Sequence, residues 1–504
     1  YTRMESSAAS DVYKRQLRLV AWSQGLEAGL YADEHQYEAA LARSRQAAFT
    51  AQSVGADDQL YRWQWQSARS LAALGETEAS ALAYHQAIAT LGRLQPHLAE
   101  GAGQSFRELA APVFFEFADL RLRQTAALPT GKEKRGYLKE VREVIERAKL
   151  AEVQEYFQDQ CVQGEGQGTV LDQLAGNAAI IYPILLPDRI ELLVTLPDDI
   201  RQFTVPVSVD RLTGEVRAFR EQIERYDQRQ DFLVHARTLY DWLIAPLESW
   251  LRWSDVDTLV IVPDGPLRTI PLAALHDGQR YLVERFAVAT TPGLTLTAPR
   301  PLVREQVDLL AGGITQSVQG FSALPNVAVE LDSISEAFPA DTLRDEAFVV
   351  DEVQRRIAEG DQDIVHIATH GQFDSDHRQS FLLAYDDKLT MDRLQTTISR
   401  RGRQDEPLEL LVLSACQTAA GDDRAALGLA GVALKAGARS ALATLWFVND
   451  ASTARVIERF YQALGEPSNS KAEALRQAQL DLIQDPRFAH PSYWAPFLLI
   501  GNWL

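Results

Sequence analysis

The sequence predicts two architectures in one chain: an all-helical repeat region, then an α/β domain with a mostly parallel sheet flanked by helices. Three observations predict this. From about Leu17 to Leu150 apolar residues recur three and four apart, and no proline occurs before Pro96. The period then changes beyond the glycines at Gly164, Gly166 and Gly168, where short apolar runs take over. From Asp308 onward such runs alternate regularly with helical patterns, as expected of parallel strands covered on both faces.

Residues 1–16 lack the apolar core of a signal peptide and read as non-native or disordered sequence, which leaves a lost signal peptide open. The helical region is expected over 17–163. Within it Ala40, Ser44 and Ala47 are followed forty residues later by Ser80, Tyr84 and Ala87, and Gly75-Glu76-Thr77 suits a turn between paired helices. This looks like a tetratricopeptide repeat of extended period, with an ordinary helical bundle as the competing reading. A further amphipathic helix over residues 137–161 ends near Cys161, and the glycine-rich connector after it is the expected domain boundary.

Over 170–300 the pattern gives a hairpin, Ala178–Leu186 and Ile190–Leu196, turning at Pro187-Asp188-Arg189. A charged helix from about Val209 to Arg229 follows, then a strand from Thr258 to Val262 that ends in the turn Pro263-Asp264-Gly265-Pro266. More strand is expected near Leu282 to Thr290. Over 301–504 the expected strands are Asp308–Ala311, Asp363–Thr369, Leu408–Ser414 and Arg439–Leu445. Helices are expected at Asn326–Phe338, Val349–Glu359 and Ala425–Ala436, the last stopping at Gly437. Ser470-Lys471-Ala472-Glu473 is a capping box opening one more helix to Ile483.

Composition narrows the function. A net charge of −19, with no run of Lys or Arg longer than a pair, disfavours nucleic acid as a direct partner. The longest apolar stretch, Ala178 to Pro187, falls well short of the ~20 residues that span a bilayer, so no membrane segment is expected. Two cysteines, Cys161 and Cys416, are too few for a disulfide framework in a chain this long. A reducing, cytoplasmic setting follows as the expectation, and there a free thiol stays reactive.

Chemistry concentrates in two segments. The strand Asp363–Ala368 runs into Thr369-His370-Gly371, and the strand Leu408–Leu413 runs into Ser414-Ala415-Cys416. Each places a reactive side chain just past an expected strand end, where sites of such sheets lie. If the strands are neighbours, ~4.8 Å apart, imidazole and thiol can meet. His370 would then draw the proton from Cys416 and later protonate the leaving amine of a peptide. The backbone N–H groups of Gly371 and Cys416 are the candidate oxyanion hole. Singly, a cysteine or histidine at a strand end is more often a packed or hydrogen-bonded residue. No metal or other cofactor is expected: His366 and His370 in a strand stand about 13 Å apart, and no phosphate-binding loop or Gly-x-Ser-x-Gly motif occurs.

These residues resemble the CHAT family, caspase-like domains related to separases and commonly joined to tetratricopeptide repeats in bacteria. The resemblance runs over roughly 175–504. It includes Val262-Pro263-Asp264-Gly265-Pro266-Leu267-Arg268, Leu282-Val283-Glu284-Arg285, His366-Ile367-Ala368-Thr369-His370-Gly371 and Ser414-Ala415-Cys416-Gln417-Thr418. It continues through Leu445-Trp446-Phe447-Val448-Asn449-Asp450 to His490-Pro491-Ser492-Tyr493-Trp494. What it implies is a caspase-like fold, with 301–504 as the active half and 170–300 as a degenerate companion half. It implies a cysteine endopeptidase with His370 and Cys416 as its dyad. The segment around Trp446 and Asp450 resembles a pocket for a basic residue before the cut bond, with Asp450 as the acid and Trp446 as a wall. The competing reading is that Asp450 caps the helix starting at Ala451. The repeats are expected to hold a protein substrate or activator. A catalytically silent adaptor, using the same fold as a protein-interaction scaffold, is the alternative, and peptide ligation by the same acyl-enzyme stays open.

Overall fold

The computed structural model describes residues 2–98, 109–157, 177–197, 199–225, 230–252, 254–297, 299–303, 307–374, 379–398, 407–418, 426–427, 431 and 437–504, without the side chains of 2–10, 95–98 and 415–418. Cys161, the connector Gly164–Gly168 and most of the helix expected at Ala425–Ala436 lie outside the described residues. The chain divides into two compact units, Tyr1–Gln160 and Cys161–Leu504.

The first unit is all-helical: α1 (Thr2–Asp33), α2 (Tyr37–Ser53), α3 (Asp57–Ala73), α4 (Thr77–Leu98), α5 (Ala111–Ala126) and α6 (Lys132–Phe157). Helix α1 runs through the residues expected to lie outside folded sequence. The chain reverses at His35, Gly55 and Gly75, each with positive φ, so successive helices pack side by side. The repeat positions behave alike in both copies. Ala40, Ser44 and Ala47 on α2 are buried, and so are Ser80, Tyr84 and Ala87 on α4.

Close helix contact here depends on a missing side chain. A methyl group at Gly25 on α1 would stand 2.2 Å from the ring of Trp63 on α3, which is itself buried. Alanine favours a helix over glycine by about 1 kcal/mol, yet overpacking a fitted contact costs about 1–3 kcal/mol. Gly25→Ala is therefore expected to destabilise this unit by up to about 2 kcal/mol, since a 2.2 Å approach puts the clash at the upper end of that range. Denaturant unfolding followed by tryptophan fluorescence checks it, and a stabilised variant would contradict the packing.

In the second unit the described strands form one sheet of thirteen. They are β1 (Ala178–Leu185), β2 (Ile190–Thr195), β3 (Ile200–Val205), β4 (Thr258–Ile261), β5 (Ala287–Thr290), β6 (Leu309–Gly313), β7 (Ala340–Arg344), β8 (Ile364–Phe373), β9 (Phe381–Leu383), β10 (Lys388–Thr390), β11 (Leu410–Thr418), β12 (Ser440–Thr444) and β13 (Phe497–Gly501). The order is β10-β9-β8-β11-β12-β13-β5-β4-β1-β2-β3, and β6 and β7 add beside the first half of β8. Strands β7, β6, β8, β11 and β12 are mutually parallel, as are β13, β5, β4 and β1. The two blocks run oppositely because β12 and β13 pair antiparallel. The last strand of the chain thus joins the segments expected as separate halves into one sheet.

Strands β4 and β12 are buried at every residue, the mark of central strands covered on both faces. Helices α7 (Val209–Glu224), α8 (Phe232–Leu243) and α9 (Ala245–Leu251) occupy the chain between β3 and β4. On one face of the β8 block lie α10 (Val327–Ala337) and α13 (Asp450–Gly465), which both reach His366 of β8. Elsewhere in the block α11 (Val350–Glu359) and α12 (Met391–Ile398) are joined by Gln354 donating to Thr397. Gly312 and Gly313, expected to follow β6, are part of it. A methyl group at Gly312 would strike Phe348 at 2.4 Å, and one at Gly313 would strike the Ala368 carbonyl at 2.5 Å. Only bare backbone lets these layers close.

Candidate active site

The five parallel strands of the β8 block deliver their carboxyl ends to a single edge of the sheet. There lie the loop 314–326 after β6, Asp345 after β7, His370 on β8, Cys416 on β11, and residues 445–449 after β12.

Strands β8 and β11 are direct neighbours, paired parallel from Leu410↔Ile364 to Thr418↔Phe373. The register shifts between Ser414↔Ala368 and Cys416↔Gly371, so β8 carries one extra residue at Thr369-His370. The backbone of Cys416 therefore stands opposite Gly371, one position from His370. The Cys416 side chain lies outside the described residues. Both strands outlast their expected ends. Where β6 stops pairing, at Gly313↔Ala368, β9 takes up the freed edge by pairing antiparallel with Gly371 and Gln372. A sequence pattern ending at Thr369 cannot show that second partner.

The imidazole of His370 is half-buried among loops. Its Nε2 lies 2.8 Å from the Ser322 carbonyl oxygen. A carbonyl only accepts, so Nε2 carries the hydrogen, and the neutral ring so held has its lone pair on Nδ1, the form a general base needs. The ring of Phe321 lies 5.2 Å away and tilted, and that of Phe447 lies 6.4 Å away and nearly parallel. Phe447 is 50% exposed. Sequence reasoning assigns no role to Phe321, Ser322 or Phe447. The one available signal is the presence of aromatic residues in the loops following β6 and β12.

Asp450 and Trp446, the residues expected to form a pocket, both lie in the segment that follows β12 at this edge. Asp450 is the first residue of α13, and its Oδ2 accepts from the backbone N–H of Asn326 (2.9 Å) and from its side-chain amide (2.8 Å). The competing role as helix cap falls instead to Asn449, whose Oδ1 accepts from the N–H groups of Ala451 and Ser452. Asn449 has the extended backbone (ψ 130°) that aims a side chain at the first turn, and this decides between neighbours of equal capping aptitude. Trp446 is nearly buried. Its Nε1 donates to the Ser492 carbonyl, and the Arg220 guanidinium lies 5.7 Å from its ring centre. Arg220, on α7, also donates to the carbonyls of Thr269 and Leu445.

His366, four residues before His370, belongs to the core. It is fully buried, with Nε2 2.9 Å from Glu330 of α10 and Nδ1 3.2 Å from the Tyr461 hydroxyl of α13. Burial, with the Glu330 charge adding to it, pushes the Tyr461 phenol well above its usual range, so it stays protonated and donates. Among the described residues no group of three or more His, Cys, Asp or Glu is placed to hold a metal ion. Nor is any described helix long and apolar enough to cross a membrane.

The sequence is similar to tetratricopeptide repeat protein 28 of Mus musculus, 26% identical over 351 residues that cover 58% of this chain and 14% of that protein. The Homo sapiens protein of the same name is 26% identical over 325 residues, covering 53% and 13%. The chain thus spans a small fraction of the length of these curated relatives. Two crystal structures of the Saccharomyces cerevisiae separase–securin complex are similar at TM-scores of 0.46 and 0.43, with 8% and 9% identity. They cover 98% and 97% of this chain, which covers 48% and 40% of theirs. The pattern of the family described as CHAT domain matches residues 234–502, over half of the sequence and including both His370 and Cys416. Behind its tetratricopeptide-like helices, then, this chain belongs to the CHAT domain family.

Proposed function

We propose that the chain is a cysteine endopeptidase with His370 as base and Cys416 as nucleophile. The observation that supports this reading is the pairing of β8 with β11, which sets the backbone of Cys416 opposite Gly371, the residue after a histidine whose Nε2–H is committed to Ser322. Nδ1 takes the thiol proton, and the thiolate attacks the peptide carbonyl. The protonated imidazole then gives its proton to the leaving amine, and water releases the acyl group. The N–H groups of Gly371 and Cys416 are assigned to the oxyanion.

Asp450 and Trp446 are assigned to a pocket for a basic P1 side chain. Only Oδ2 of Asp450 is bonded to Asn326, while Oδ1 has no partner among the described residues. The helical unit is assigned to a protein substrate or activator, and the reading places the chain in the reducing cytoplasm, where Cys416 stays free.

The test is covalent labelling by a peptidyl acyloxymethyl ketone with Arg at P1. The parent is expected to form an adduct that Cys416→Ala lacks, and Asp450→Ala is expected to lose the preference for Arg over Leu at P1. Absence of an adduct at Cys416, with protein partners from a lysate supplied, would leave the adaptor as the better reading. An unchanged P1 preference in Asp450→Ala would remove the pocket alone.

A further inference from the structure

The histidine is only as well placed as the carbonyl it binds, and that carbonyl sits in a loop. Loop 314–326 is closed on itself: the N–H of Leu324 donates to the Thr315 carbonyl at 3.1 Å, and that of Phe321 to Val318 at 2.9 Å. Ser317 Oγ donates to the Phe321 carbonyl at 2.7 Å. Near its tip Gln319 and Gly320 both have positive φ, and the Gln319 amide donates to the Ala384 carbonyl of the turn after β9. At its end, Asn326 is held by Asp450.

The neck of the loop is gripped from β7. Asp345 Oδ1 accepts from the N–H of Thr315 (2.7 Å) and of Gln316 (3.3 Å), and Oδ2 accepts from the Thr315 hydroxyl (2.8 Å). Asp345 does this from a left-handed backbone, φ 52°, while 8% exposed. Glycine adopts that conformation freely, whereas for aspartate it costs about 1 kcal/mol. An aspartate held there, with its carboxylate engaged by a loop thirty residues away in sequence, is explained by what the loop carries.

We propose that Asp345 is a positioning residue for His370: it fixes the neck of loop 314–326 so that the Ser322 carbonyl receives Nε2–H and keeps the lone pair on Nδ1. This rests on the peptidase reading for its catalytic consequence, but not for its structural content. Asp345→Gly separates the carboxylate from the strain, because glycine relieves the backbone while removing the grip. Asp345→Asn keeps Oδ1 as an acceptor for both N–H groups.

The experiment reads His370 directly, by ring ¹⁵N shifts of histidine-labelled full-length protein, with the His370 signal identified by its loss in His370→Gln. The parent is expected to show the Nε2–H tautomer, Asp345→Gly a mixture of tautomers, and Asp345→Asn the parent pattern. With the peptide substrate, Asp345→Gly is expected to lower kcat about 10- to 100-fold with KM within about twofold, and Asp345→Asn to recover most of it. A His370 ring signal in Asp345→Gly identical to the parent overturns the proposal, whatever happens to activity. A parent that cleaves nothing while the ring signals still change with Asp345 overturns the peptidase reading and leaves the positioning role standing.

Discussion

His370→Ala is expected to lower the rate at which a peptide substrate acylates Cys416 by about 10²- to 10⁴-fold, the range typical of losing a positioned general base. Two losses combine in that figure. Without Nδ1 the thiol must ionise unaided, and a thiol at its ordinary value near 8.5 is mostly protonated at neutral pH. The leaving amine also loses its proton donor. The residual rate of the variant should therefore climb about tenfold per pH unit until the thiol range is reached, because it tracks free thiolate. The measurement is the pre-steady-state acylation rate against pH in a Cys161→Ala background, which leaves a single thiol. A variant with the parent's rate and pH profile would mean that the imidazole and the sulfur do not share a proton.

Much of this site is legible in the amino-acid sequence, and the reason is local. The alternation of short apolar runs with amphipathic helices points to parallel strands, and parallel strands bring residues at their carboxyl ends together whatever the loops do. That His370 and Cys416 lie on neighbouring parallel strands is therefore legible from position within their own segments. Ser322 and Asp345 are not, because their roles arise from hydrogen bonds between segments far apart in sequence, and no period encodes those. Asp450 shows the intermediate case. Its place at the head of a helix is readable, but the bond to Asn326 depends on α10 and α13 lying side by side. The strand ends differ from expectation for the same reason, since β8 is prolonged by β9, a three-residue strand too short to signal itself.

The framework behind the site should be as sensitive as the site itself. Glu330→Ala is expected to destabilise the sheet unit by about 3 kcal/mol, the upper end of the range for leaving a buried hydrogen-bonding group without its partner. Glu330 is 1% exposed and His366 is fully buried, so water does not readily replace the lost contact. The hydrogen bonds fit one arrangement in which every group is satisfied: Tyr461 O–H donates to Nδ1 of His366, and Nε2–H donates to Glu330. Removing the carboxylate orphans that N–H, whereas Glu330→Gln keeps an acceptor and should cost about 1–2 kcal/mol. A double-mutant cycle with His366→Leu tests the coupling by urea unfolding. Glu330→Ala should cost far less once His366 is gone, and equal costs in both backgrounds would show that the pair does not act as a unit. The consequence reaches His370 through geometry. His366 is the point where β8 is tied to α10 and α13, the two helices whose first turns are joined by Asn326 and Asp450. Loosening that point lets loop 314–326 move against β8. Activity of Glu330→Ala should therefore fall at temperatures below its unfolding transition, and parent-like activity there would confine Glu330, His366 and Tyr461 to a role in stability.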